Sequence, residues 1–325
     1  MIEVSGKNGI KVVVIADSVC RTNGHRMLTF EFYFHRWILA EINTHRSIGK
    51  NLQSSRAIPM LRAIDLIKES PAYPVHWGKN QSGMQSKEEL TGWRLAAAKF
   101  LWNFSMKTTL LTGRLVNKLG AHKQWASRLL EPFVMTKGVF SGTDWDNLLW
   151  LRNCSEAQPE FGVLADLIQR AKDKSVPVNL ELGEWHLPYI ISKRNEFGIM
   201  NYYDINGSGI SLDLAQKISA SCAAQVSYRR MNDTPEKALE IYDKLFSGSK
   251  LHLSPTEHQA TPIGIMNLSE IGVTRLWPNG VTHMDRNYVL HSGNLTGWIQ
   301  FRQTLPNNVY VNPPVDVANV YNSTE

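Results

Sequence analysis

The chain has 325 residues, 43% of them hydrophobic and 20% charged, enough apolar material to bury a substantial core and too much for disorder to be the default. A formal charge of +6 favours an anionic partner, but the basic residues are spread along the chain, so a nucleotide satisfies them as well as a nucleic acid does. Cys20, Cys154 and Cys222 lie far apart with no C-x-x-C, which argues against a disulfide framework or zinc site and for a reducing, cytoplasmic setting. No apolar run reaches membrane-spanning length, and the first residues, with an acid near the start and a short apolar run, do not read as a secretory signal.

Residues 11–16 (KVVVIA) are short and β-branched and predict a buried strand; residues 27–34 (MLTFEFYF) predict a second, aromatic-rich one. A short helix is expected over 59–68, then a loop of turn residues over 70–85, where His76, Trp77, Lys79 and Asn80 can either reach a ligand or simply cover the surface. Ser86 with Glu89 reads as a capping box opening a long helix that runs to 119 and stops at Gly120. A further helical stretch covers 123–130. Asp144 caps another over 144–174, which Pro159 should kink or break. Residues 185–191 suggest a loop or strand edge, and 195–209 show no clear period. A helix is expected over 212–224. Thr234, Pro235 and Glu236 supply a cap, a first-position proline and a first-turn acid for one more, ending near 248. From 264 the chain is turn-rich, with short apolar runs at 273–277 and 297–301 and an irregular last dozen residues. There is no internal repeat.

The stretch 40–59, AEINTHRSIGKNLQSSRAIP, breaks this pattern. It sets His45, Arg46, Lys50 and Arg56 among Asn43, Thr44, Ser47, Asn51, Gln53, Ser54 and Ser55, with only Ile42, Ile48 and Leu52 as apolar relief and no helical period. Cations among hydroxyl and amide groups suit an anionic, hydrogen-bonding ligand, with a solvated basic loop as the plain alternative. Read from Thr44, T-H-R-S-I-G-K-N-L-Q-S-S-R resembles the signature R-H-R-x-x-S-x-N-x-x-S-x-R of flavin-dependent thymidylate synthases, with His45, Arg46, Asn51, Ser54 and Arg56 on motif positions. Thr44 and Gly49 depart from it, and Leu52 stands where an acid is common.

Two further stretches resemble the same family. In 147–160, NLLWLRNCSEAQPE, Leu148 and Leu151 can face a core while Arg152 projects from the other side. Taken alone that is an ordinary solvated arginine, but the stretch is similar to N-F-L-x-L-R followed by A-Q-x-E-I. Residues 223–228 (AAQVSY) and 252–258 (HLSPTEH) are similar to A-A-R-V-S-F and H-x-x-P-x-E-H, with Gln225 in place of an arginine. These last pieces follow the arginine motif here, where most family members have them first, as in a circular permutation; chain ends commonly lie at the surface, so moving them need not destroy a fold.

The resemblance implies one domain over 1–325 with unmatched insertions near 60–120, 175–210 and 265–325. It implies an α+β fold, an antiparallel sheet flanked by long helices, circularly permuted and assembled as a homotetramer, in a long form of the kind found in bacteriophages and so in the host cytoplasm. The implied activity is reductive methylation of dUMP to dTMP, with FAD as cofactor and NADPH and methylenetetrahydrofolate as co-substrates. Arg152 and Ser54 would be catalytic; Arg56, Ser54, Arg128, Arg152 and Glu41 would hold the nucleotide; His45, Arg46, Asn51, Asn147, Ser227 and His258 would line the flavin, and no metal is implied. A flavoenzyme acting on another deoxypyrimidine monophosphate, such as dCMP, is the alternative within the family. A basic nucleic-acid-binding protein ranks below both, because the ten tryptophans do not line up as a stacking platform.

Overall fold

Strand β1 (Ile2–Ser5) pairs antiparallel with β2 (Lys11–Cys20), and β2 with β3 (Arg26–His35), in the computed structural model, which describes residues 2–227, 234–246, 251–264 and 277–309. The sheet continues through β5 (Met135–Gly142) to β4 (Gly49–Leu52), in the order β1-β2-β3-β5-β4, antiparallel throughout. A short sixth strand, β6 (Val178–Leu180), joins the far end of β2 in parallel.

The period of two along β3 sorts its side chains onto two faces. Phe30, Phe32 and Phe34 point into the main core, where Phe32 stacks on Phe140 at 4.3 Å and Phe30 meets Trp145 edge-on at 4.8 Å. Two helices close this face: α5 (Trp145–Arg152), and α6 (Pro159–Lys174) with Phe161, Leu164, Leu167 and Ile168. Thr29 and Glu31 point the other way, where Thr29 meets His186 and Glu31 meets the Tyr189 hydroxyl. At the sheet's β4 end, α1 (Leu39–Asn43) leads into the basic stretch. Beyond it, α2 (Met60–Glu69), α3 (Gly92–Lys118), α4 (Lys123–Ala126) and a 3-10 turn over Ser127–Phe133 share a second core around Ile64, Leu110 and Leu130.

Two further clusters gather the rest, one around Met200, Tyr202 and Trp298 and a smaller one around Ala220, Tyr242 and Phe301. Strands β7 (Ile191–Arg194), β8 (Met200–Tyr203) and β9 (Gly209–Ile210) make a small antiparallel sheet beside α7 (Leu212–Ala224), which packs on α8 (Pro235–Phe246). Strand β10 (Ala260–Pro262) pairs with a late strand, β14 (Trp298–Gln300), reached through β11 (His283–Met284), β12 (Leu290–Ser292) and β13 (Leu295–Thr296). A four-residue helix, α9 (Phe301–Thr304), follows directly. Among the described residues no helix is long and apolar enough to cross a membrane.

Several expectations need correction. Ser86 caps no helix: its hydroxyl donates to the carbonyls of Lys79 and Glu88, closing a loop, and α3 begins only at Gly92. The stretch 123–130 is α-helical only to Ala126, and Pro132 lies in the 3-10 turn that follows. Strand β5 carries two glycines and a lysine, too weak a β signal to announce itself. Gly142 is needed there because a Cβ would stand 2.6 Å from Ile48 Cδ1 and 3.3 Å from the Ser47 carbonyl. Residues 195–209 do hold order, a hairpin whose turn is closed by Asn195 Oδ1 accepting from the Phe197 and Ile199 N–H groups. The break at Pro159 is present, with α5 ending at Arg152 and the proline starting α6. Residues 273–276, 247–250 and the last dozen lie outside the described residues, as does Tyr228.

Candidate ligand site at the motif strand

The basic stretch forms a tight turn after α1 and then becomes β4, paired to β5 with Gly49 opposite Ser141 and Leu52 opposite Gly138. Three distant parts of the chain are tied to it or to its partner strand β5. From the last turn of α5, Arg152 Nε donates to His45 Nε2 at 2.9 Å and Nη2 donates to Thr44 Oγ1 at 3.3 Å. The same guanidinium lies 5.1 Å from the centre of the Phe161 ring, against which His45 packs edge-on. From the end of α7, the Ala223 carbonyl accepts from Asn51 Nδ2 at 3.2 Å, and Ser227 Oγ accepts from the Ser54 N–H at 3.1 Å. From the turn before β10, His258 Nδ1 lies 2.8 Å from Ser141 Oγ, behind the Gly49 pairing.

The electrostatics of His45 follow from this packing. A guanidinium is donor only, so His45 Nε2 accepts and the ring's hydrogen sits on Nδ1. Burial, helped by Arg152 and Lys50, pulls the His45 pKa down to about 4, so the imidazole is neutral at physiological pH. Lys50 Nζ donates to the His45 carbonyl at 2.6 Å; burial lowers its pKa too, opposed by Glu257.

Beside β4 opens a pocket of about 500 Å³. Asn43, Arg46 and Lys50 line one side, and Glu257, Asn294 and Arg302 line another. Arg46 is exposed and makes no hydrogen bond or ion pair among the described residues, which leaves its donors for a ligand. A second cavity, of about 560 Å³, lies past the end of β4, where Gln53, Ile58, Arg62, Lys137, Val226 and Ser227 meet.

The other expected residues fall at varied distances from these cavities. Arg56 is exposed, and its backbone N–H donates to Ser54 Oγ at 3.3 Å. Arg128 donates to Glu131, which also accepts from Arg36 and from Ser55 of the basic stretch. Glu41 has a buried carboxylate oxygen with no donor among the described residues. Asn147 is exposed on α5. His258 has no exposed surface, so it stands behind the pocket wall rather than in it.

That buried position belongs to a chain of polar groups: Ser18 Oγ to His186 Nδ1 at 2.9 Å, His186 Nε2 to Thr29 Oγ1 at 2.9 Å, Thr29 Oγ1 to Ser141 Oγ at 2.6 Å, and Ser141 to His258. Burial pulls both imidazoles down to about 3, so each is neutral. Sequence reasoning counted Lys50 among the cations of the stretch without giving it a role, and missed Glu257, Asn294 and Arg302 as pocket residues. Glu257 sat inside a motif already singled out; Arg302 offered no signal beyond being a cation after a short apolar run.

No family model matches the chain, and no curated protein does. Solved structures of flavin-dependent thymidylate synthase ThyX from Helicobacter pylori with FAD and dUMP are similar to it at 21% identity. One covers 45% of this chain and 68% of its own with a TM-score of 0.31. The other, at 2.31 Å resolution, covers 45% and 67% with a TM-score of 0.32.

Proposed function

We propose that the protein is a flavin-dependent thymidylate synthase-like enzyme, built as a circularly permuted form of that fold and assembled as a homotetramer. In the proposed reaction the C5 hydrogen of dUMP is replaced by a methyl group, with the carbon from methylenetetrahydrofolate and the reducing electrons from NADPH through FAD. One observation carries the reading. Pieces of chain that match the family's motifs, far apart in sequence, are hydrogen-bonded to the same stretch, the turn before β4, β4 itself and the residues just after it: Arg152 to His45, Ala223 to Asn51, and Ser227 to Ser54.

The donors beside β4 fit an anionic nucleotide cofactor, since Arg46 is unspent and Lys50 and Arg302 add positive charge to the same pocket. When bound, FAD supplies the one-carbon and hydride chemistry; the protein positions the reactants and stabilises charge. Arg152 is held by a neutral histidine and a threonine and keeps further N–H donors for negative charge developing on a pyrimidine carbonyl. Ser54, Arg56 and Arg128 are assigned to the nucleotide phosphate, with Glu41 as a further substrate contact. Arg46, Asn51, Asn147 and Ser227 are assigned to the flavin, and His258 supports them through Ser141.

Thr44 favours a second reading. It stands where the family signature has an arginine and accepts from Arg152, so the stretch has one positive charge fewer than the signature. That change suits a related deoxypyrimidine monophosphate such as dCMP. Incubation with methylenetetrahydrofolate, NADPH, FAD and either dUMP or dCMP, with the product identified by mass, separates the two. A methyl gain on dUMP alone supports the first reading, product from dCMP alone the second, and no product from either refutes both.

A further inference from the structure

The pocket wall opposite the motif is built by residues 290–304, a part of the chain that carries no motif. It is held in place firmly. Asn294 Nδ2 donates to the Ser47 carbonyl at 2.8 Å, and Gln300, 1% exposed, donates to Asn294 Oδ1 at 2.8 Å and to the Glu257 carbonyl. Gly293 has a φ of +58°, and a Cβ there would stand 2.7 Å from Gln300 Oε1, so the turn favours glycine.

On this wall Arg302 is half-buried. It donates to Glu257 Oε1 through Nη1 and to the Asn308 carbonyl through Nη2, leaving most of its five N–H donors without an acceptor among the described residues. The pocket is lined by Arg46, Lys50 and Arg302 against the single carboxylate of Glu257, a surplus of positive charge. The surplus matches a ligand with two negative charges, and an arginine pinned from behind presents its fork at little further ordering cost.

We propose that Arg302, positioned by Glu257, is a second arginine of the ligand site and binds, together with Arg46, the phosphate or diphosphate of a nucleotide. The proposal rests on the reading of this pocket as a nucleotide site, and phosphate chemistry is common to dUMP, FAD and simple diphosphates. Calorimetric titration of the full chain with ADP, dUMP and FAD distinguishes them, on the wild type, R302Q, R302K and the double variant E257Q/R302Q, which leaves no unpaired acid behind. R302Q and the double variant are expected to weaken binding of the pocket's ligand about tenfold, with R302K between them and the wild type. The melting temperature of the double variant serves as the folding control. Wild-type-like affinity in both R302Q and the double variant overturns the proposal and leaves the flavin reading intact. Uptake of ADP but not FAD, weakened by R302Q, overturns the flavin reading and supports Arg302; no uptake of any of the three by the wild type overturns both.

Discussion

Arg152 Nε and His45 Nε2 lie 2.9 Å apart although 107 residues separate them in the chain, so a hydrogen bond between a cation and a neutral imidazole joins the end of α5 to the motif turn, beside the bond from Arg152 Nη2 to Thr44. Removing Arg152 leaves the buried His45 Nε2 without its donor, and removing His45 leaves the partly buried Arg152 with Thr44 as its remaining hydrogen-bond partner among the described residues. Denaturant titration of R152Q, H45F and the double variant is expected to give a coupling energy of about 1.5 kcal/mol, the range of hydrogen bonds to charged groups. Strict additivity would show that the contact contributes nothing.

Stability should fall on acidification from neutral pH. His45, His186 and His258 have folded pKa values pulled down to about 4, 3 and 3 from an ordinary 6.5. Between those values and 6.5 the unfolded chain binds more protons, so the stabilisation is complete above pH 6.5 and is lost as pH falls toward 3. Thermal melts from pH 7.5 to 4.5 should show a steadily decreasing melting temperature; a flat profile would mean that these imidazoles are not held neutral.

The buried chain from Ser18 to His258 offers a sharper test in Thr29. Its hydroxyl meets both His186 Nε2 and Ser141 Oγ, so T29V keeps the shape and leaves two buried groups short of a partner. The expected cost is about 1–3 kcal/mol in denaturant unfolding. A neutral substitution would imply that the chain re-pairs without Thr29.

Backbone approach at β5 positions the motif turn. G142A places a methyl against Ile48 Cδ1 and the Ser47 carbonyl, and is expected to cost about 1–3 kcal/mol by overpacking. G209A, at a strand position with nothing within 4 Å, is the control and should stay within about 0.5 kcal/mol of the wild type. Equal effects at both sites would remove the argument for a close contact at Gly142.

Much of this architecture was legible where one local rule decided the outcome. Leu212–Ala224 and Pro235–Phe246 are helices where caps and period said so, and Pro159 separates α5 from α6. Strand β5 was not legible, because its glycines serve packing against Ile48 and Leu52 that no local pattern encodes. The Ser86 box failed for a similar reason, since a loop carbonyl outcompeted a helix terminus for its hydroxyl. At the candidate site the motif spacing marked Arg46 and His45. Glu257 lay inside the 252–258 motif but was given no role, and Arg302 belongs there only through the pairing of β10 with β14, a contact no spacing rule reaches.

The most direct measurement is the visible absorbance of the purified full chain, titrated with FAD and then with NADPH under anaerobic conditions, with and without dUMP. A flavin spectrum that stays with the protein through gel filtration and bleaches with NADPH, faster when dUMP is present, is the expected result. A protein that stays colourless after FAD addition and gel filtration would contradict the account at its centre, and the pairing of His45 with Arg152 would then stand as a structural contact alone.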